Sequence, residues 1–124
     1  MSAALYFAAC ILGFIGIAHS YLGERYLLRR LDRYGDLPKV FRDPVFAFRV
    51  MRLAWHITSI AWFGFAALLV LIAHPPVTAE GVGIAIGVVF LVHGVASLVL
   101  ARGRHLSWVL FLAVGALTIY AVGI

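Results

Sequence analysis

The chain has 124 residues, of which 65% are hydrophobic and 12% charged, with a mean hydropathy of +1.06. So few charged side chains cannot cover a soluble domain, and the length accommodates about four membrane-spanning helices of roughly 20 residues each. The net charge of +5 lies in short segments beside apolar stretches. It therefore reads as membrane topology and contact with anionic lipid head groups, and not as nucleic-acid binding, which needs a basic domain with stacking aromatics.

The first apolar stretch predicts a span over about 3–22. No basic segment precedes it and the apolar run continues past Cys10, so it reads as a retained helix and not as a secretory signal. Cys10 is the one cysteine, which leaves no intrachain disulfide and no C-x-x-C pair. Gly13, Gly16, Ser20 and Gly23 recur at helical spacing as a small-residue stripe that lets another helix approach closely.

A basic interfacial segment follows over 24–43. Leu27, Leu28, Leu31 and Tyr34 share one helical face, while Arg25, Arg29, Arg30 and Arg33 occupy much of the remainder. This is the pattern of an amphipathic helix at head-group level, with Gly35 as terminator and a loop over 36–43.

Asp43-Pro44 forms a helix start, with Asp as N-cap and Pro at the first helical position. The second span covers about 47–73, with Arg49 and Arg52 snorkelling to the interface, and stops at His74-Pro75-Pro76. Thr78 caps a third span over about 82–101. This span carries Gly83-x-x-x-Gly87, a close-packing signature that serves either the bundle or a subunit interface. Arg102-Gly-Arg-His105 reads as a tight basic hairpin before a fourth span over about 106–122.

Eight of the ten Lys and Arg residues lie between Arg25 and Arg52, and the other two are in the third connection. The positive-inside rule places both basic regions in the cytoplasm and both termini on the other side. Short connections make successive helices antiparallel neighbours. The expected fold is all-α: an integral membrane up-down-up-down four-helix bundle with a basic amphipathic extension after the first span.

Chemistry rests on three histidines inside the spans. His19 lies five residues before Glu24, His56 four after Arg52 and His93 nine before Arg102. At 1.5 Å per residue these are depths of about 7, 6 and 13 Å from the basic side. Imidazoles on three helices can converge as metal ligands, making His19, Glu24, His56 and His93 one candidate metal set. Two of His19, His56 and His93 can instead be axial ligands of a b-type haem, with Arg52 or Arg25 pairing its propionates. The bland alternative is structural or proton-sharing, each ring satisfied by a serine or backbone carbonyl of a neighbouring helix. Ser59 and Ser97, three and four residues from His56 and His93, suit either reading. No H-x-x-x-H or E-x-x-H occurs within a helix, and no catalytic triad or phosphate loop is present, so no catalytic residue is assigned. Trp55 and Trp108 match an interfacial aromatic belt, and Trp62 reads as core.

The run His19-Ser-x-Leu-Gly-Glu, a basic leucine-rich helix and then Ala54-Trp55-His56-x-Thr58-Ser59 together resemble a group of small, uncharacterised four-span bacterial inner-membrane proteins. That resemblance implies a bacterial inner membrane and carries over no functional residue. Two functions stay open at this point. One is a metal- or haem-binding histidine cluster toward the cytoplasmic leaflet. The other is a non-catalytic accessory protein, with a second copy or a membrane complex as partner through its small-residue faces.

Overall fold

The computed structural model of the chain describes residues 2–34 and 43–123. Among these residues the structure is helical, with turns and no strand. Helix α1 spans Ser2–Leu22, a π-helical stretch spans Gly23–Leu28, and α2 spans Arg29–Tyr34; together they form one uninterrupted run. Helices α3 (Pro44–Ala73), α4 (Ala79–Leu100) and α5 (Ser107–Val122) follow. The expected terminator Gly35 and the loop before Asp43 lie outside the described residues.

Three of these helical runs are long and apolar enough to cross a membrane. The 21 residues of α1 are about 31 Å long, close to the roughly 30 Å hydrocarbon thickness. The 30 residues of α3 are about 45 Å long, and the part from Leu53 to Ala73 alone is about 31 Å. The excess at the start of α3 holds Arg49 and Arg52. The 16 residues of α5 reach only about 24 Å, short of a full crossing at ideal geometry.

The helices neighbour one another in chain order, α1 against α3, α3 against α4 and α4 against α5. Contacts run in opposite directions along each pair. Tyr6 meets His74 and Glu24 meets Arg52 across α1 and α3. Gly64 faces Val89 across α3 and α4, and Gly83 and Gly94 face Val122 and Leu112 across α4 and α5. The Gly83-x-x-x-Gly87 signature is therefore used inside the chain. A Cβ at Gly115 would lie 2.8 Å from the Gly87 carbonyl oxygen, a backbone atom that cannot rotate away. On α1, Gly16 and Gly23 face Phe63 and Trp55 of α3, while Gly13 has open space around it.

Few side chains are buried, and many large apolar ones are exposed, among them Phe7, Phe14 and Ile17 on α1 and Leu110, Leu117 and Tyr120 on α5. An apolar outer surface of this extent suits lipid as the surrounding solvent.

The π-helical stretch re-aims the chain. Gly23 and Leu28 are both buried although five residues apart. In an α-helix that spacing turns a residue about 140° away from the first one's face; the wider i→i+5 turn brings it back. Leu28 is thus fully buried while Leu27 stays exposed, so the leucine face expected along 27–34 is only partly realised.

The caps follow the sequence closely. Asp43 accepts from the Val45 and Phe46 N–H groups, both at 3.1 Å, with Pro44 opening α3. Thr78 accepts from Gly81 N–H at 3.0 Å to open α4. α4 ends in a Schellman turn: Arg102 N–H donates to the Val99 carbonyl and Gly103 N–H to that of Leu98, with positive φ at both Arg102 and Gly103. The turn then docks on the start of α3. Arg104 pairs with Asp43 at 2.7 Å and lies over the Phe46 ring at 4.8 Å.

Two consequences are measurable. Gly115→Ala should lower stability in detergent by about 1–3 kcal/mol, because overpacking against backbone cannot relax, whereas Gly13→Ala should change it by less than about 0.5 kcal/mol. Thermal unfolding of the two variants beside the wild type checks both. The Arg104 hydrogen bond, and next the Phe46 N–H, hold the Asp43 carboxyl below its ordinary value of 3.8. A lowered folded-state value means a contribution that is present above 3.8 and lost as the pH falls through the folded value. Asp43→Asn, which keeps the cap but not the charge, should therefore remove part of the acid-side loss of stability seen in the wild type.

Candidate functional site

The site lies between α1 and α3 at the level where the apolar spans meet the arginines. Ser20 and Glu24 are four residues apart and present neighbouring positions on one face, as do Arg52, His56 and Ser59 on α3. Antiparallel packing brings the two sets together.

At the outer edge, the Arg52 guanidinium holds the Glu24 carboxylate in a two-pronged grip, with Nε donating to Oε2 at 2.9 Å and Nη2 to Oε1. Arg29 adds a more distant ion pair at 3.7 Å. Planar guanidinium–carboxylate pairing of this kind is the strong form of ion pair, and here both groups are partly buried. The His56 Nε2–H donates to the same carboxylate at 3.1 Å.

From His56 the contacts continue inward. Its Nδ1 lies 2.9 Å from Ser20 Oγ, Ser20 Oγ lies 2.8 Å from Ser59 Oγ, and Ser59 Oγ lies 3.1 Å from His19 Nδ1. Ser59 is 2% exposed, so its hydroxyl depends on these partners. The His19 ring stacks on Trp55 with centroids 4.4 Å apart and planes 3° from parallel, and Trp62 meets it edge-on at 4.9 Å. The Trp55 Nε1–H donates to the His19 carbonyl at 3.0 Å. That indole sits where a Cβ at position 23 would be, which is why Gly23 must be glycine for the ring to reach the α1 backbone.

The result is one continuous path: Arg52, Glu24, His56, Ser20, Ser59, His19. Of the four residues expected as metal ligands, His19, Glu24 and His56 share this seam, and both ring nitrogens of His56 are engaged within it. His93 is elsewhere. Its Nδ1–H donates to the Val89 carbonyl at 2.7 Å and its ring packs on Phe90 and Phe111. The reason is azimuth. His93 lines a hollow with Ile57 and Ala61 of α3, which lie about 100° and 140° around that helix from His56. Among the described residues no group of three or more His, Cys, Asp or Glu side chains is placed to hold a metal ion. Arg52, the expected propionate partner of a haem, is engaged by Glu24.

The serines also find other partners than their sequence neighbours. Ser59 serves His19 in place of His56, and Ser97 bonds Ser107 in place of His93. His105 bonds Ser107 at 2.7 Å, and His74 accepts from the Tyr6 hydroxyl at 2.7 Å, so neither ring has only water for company. Ser20 and Trp55 were the members hidden from sequence reasoning. Ser20 belongs to a small-residue stripe and Trp55 to an aromatic belt, and only their i, i+4 phase with Glu24 and Ser59 points to the seam.

The chain matches no family model, curated protein or solved structure in comparisons with known proteins.

The Glu24–Arg52 pair should couple the two helices measurably. In a double-mutant cycle with Glu24→Gln and Arg52→Gln, the coupling free energy from thermal unfolding should be about 1–3 kcal/mol. The double variant should cost less than the sum of the two single variants, because each single substitution leaves a partly buried charge without its main partner.

Proposed function

We propose that the protein is a small, non-catalytic, multi-pass membrane protein that shares a proton along the α1–α3 seam, loaded from the side bearing the arginines. The observation that carries this reading is the unbroken run of hydrogen bonds from Glu24 through His56, Ser20 and Ser59 to His19.

The chemistry balances over two states. In one, His56 is an imidazolium donating from both nitrogens, Ser20 donates to Ser59, and Ser59 donates to the bare Nδ1 of His19. In the other, His56 has passed its Nδ1 proton to Ser20, Ser20 has passed one to Ser59, and Ser59 has passed one to His19. Each serine ends with one proton, and the positive charge has moved from His56 to His19. Serine hydroxyls rotate freely enough to reverse such a run. Glu24 accepts from His56 Nε2 throughout, and the Trp55 face lies against His19 in a geometry suited to a cationic ring.

The seam goes no deeper in this form. Beyond His19 the next α1–α3 contact is Gly16 against Phe63, which has no proton-carrying group, and the Tyr6–His74 pair at the far end stands about 20 Å from His19 along α1. The reading is thus of a proton store or pH-responsive joint open to one side, and not of a through-channel.

Around this seam we read the chain as an up-down-up-down bundle of four spans in a bacterial inner membrane, with the short α5 as the fourth. The basic α2 segment lies along the cytoplasmic interface against anionic head groups, and both termini lie outside the cytoplasm. The distribution of lysine and arginine supports that orientation. With Gly83 and Gly87 used inside the chain, the open Gly13 face of α1 is what remains for a second copy or another membrane partner.

The test is ¹⁵N NMR of histidine-labelled protein in lipid nanodiscs across a pH series. The ring resonances of His19 and His56 should shift together, and Ser59→Ala should separate them. Unchanged His19 behaviour in Ser59→Ala, or a stoichiometric transition metal bound to these rings in the purified protein, overturns the reading.

A further inference from the structure

His93 belongs to a second site on the opposite side of α3. A hollow of about 300 Å³ opens there between α3 and α4, bounded on one side by Phe111 of α5. Its volume falls at the lower end of the range for small-molecule pockets. Ala61 and Ala85 are too small to fill the space between the helices, and apart from His93 the lining is apolar.

The His93 ring is 6% exposed, and no cation or carboxylate lines the hollow with it. Its Nδ1–H is committed to the Val89 carbonyl, so in the neutral ring the far nitrogen, Nε2, carries a lone pair. Nε2 has no hydrogen-bond partner among the described residues. Leaving such an acceptor unmet in an apolar setting is costly, whereas one matching donor turns the cost into specificity.

We propose that this hollow binds a lipid-soluble phenol or hydroquinone, whose O–H donates to His93 Nε2. Three features select this class. A ligand bearing a carboxylate or phosphate at this depth would find no counter-charge, which leaves a neutral molecule. Nε2 needs a donor, which excludes plain hydrocarbon and ethers. His93, Phe90 and Phe111 form a mutually packed aromatic trio, with centroids 5.6–6.0 Å apart, a surface suited to the face or edge of a planar ring. The hollow is open on one side, so an alkyl or isoprenoid tail can leave it into the surrounding acyl chains. The proposal concerns binding alone and does not depend on the proton-sharing seam.

The experiment uses the full chain in nanodiscs with 4-decylphenol as probe, followed by equilibrium dialysis and by the ¹⁵N resonance of His93 Nε2. Saturable binding of one phenol per chain is expected, with a shift of that resonance. The methyl ether, 4-decylanisole, should bind about tenfold more weakly, the loss of one hydrogen bond in an apolar site. His93→Phe should show the same loss for the phenol and no further loss for the ether, while Ala85→Phe should abolish binding by filling the hollow. Equal binding of phenol and ether overturns the proposal, as does binding of 1-decanol as tight as that of the phenol. Absence of saturable binding, or a haem Soret band ascribed to His93, does so too. Should His93→Phe fail to fold, the phenol–ether comparison on the unmodified protein decides alone, and Ser59→Ala should leave it unchanged.

Discussion

The constraint on which the rest of this structure depends is the pairing of Glu24 with Arg52. Each carries a charge at the end of an otherwise uncharged apolar stretch, and neither can enter hydrocarbon unaccompanied. Their two-pronged contact fixes the register of α1 against α3 at one height. From that height about 31 Å of uncharged helix remains on α3, which is one hydrocarbon thickness. A slip by a single turn would separate the two charges and pull His56 away from Ser20. The pair therefore sets the depth of the helices and the alignment of the inner polar groups together.

With that register set, α3 becomes a divider. Its one face is polar and joins α1 through the His56, Ser59 and Trp55 positions. Its other face is apolar and small, with Gly64 against Val89 and a hollow where Ala61 meets Ala85. α4 and α5 are then held by backbone proximity, since Gly87 and Gly115 approach until carbonyl oxygen meets the space of a missing Cβ. Two different kinds of adhesion thus act on the two sides of one helix. In lipid, where burial of apolar surface between helices brings little gain, close van der Waals packing and hydrogen bonding are the available sources of specificity. The chain uses one on each side.

Much of this was legible in the sequence. The apolar runs, the Asp43-Pro44 start, the Thr78 cap and the basic turn at Arg102 all depend on local chemistry, and the structure has them within a few residues of where composition and spacing put them. That His19 and His56 fall close to one another along their helices was legible too, since rise per residue is constant along a helix. Azimuth was not. Whether His93 faces the α1–α3 seam depends on where α4 packs around α3, and no spacing within α4 reports that. The π-helical stretch was hidden for a related reason. Gly23 to Leu28 carries no residue that demands a wider turn, and the turn becomes necessary only when Trp55 occupies the glycine and Leu28 has to reach the interior.

That stretch also bears on how the seam can respond to charge. Glu24 sits inside the π-helical run, between the tightly packed Gly23 and the buried Leu28. A π turn is rare, interrupts the α-helical pattern on either side of it and is frequent at functional sites. The side chain that accepts from His56 Nε2 is therefore carried on the π-helical stretch that follows α1, while Ser20 and His19 stand on regular helix. In the proposed transfer of positive charge from His56 to His19, the attraction that Glu24 exerts on His56 would fall and Arg52 would be left as its dominant partner. The backbone best able to accommodate that change is the segment that holds Glu24. Any mechanical consequence of proton movement would thus be delivered to α2 and its arginines, and not to the closely packed α4–α5 pair on the other side of α3.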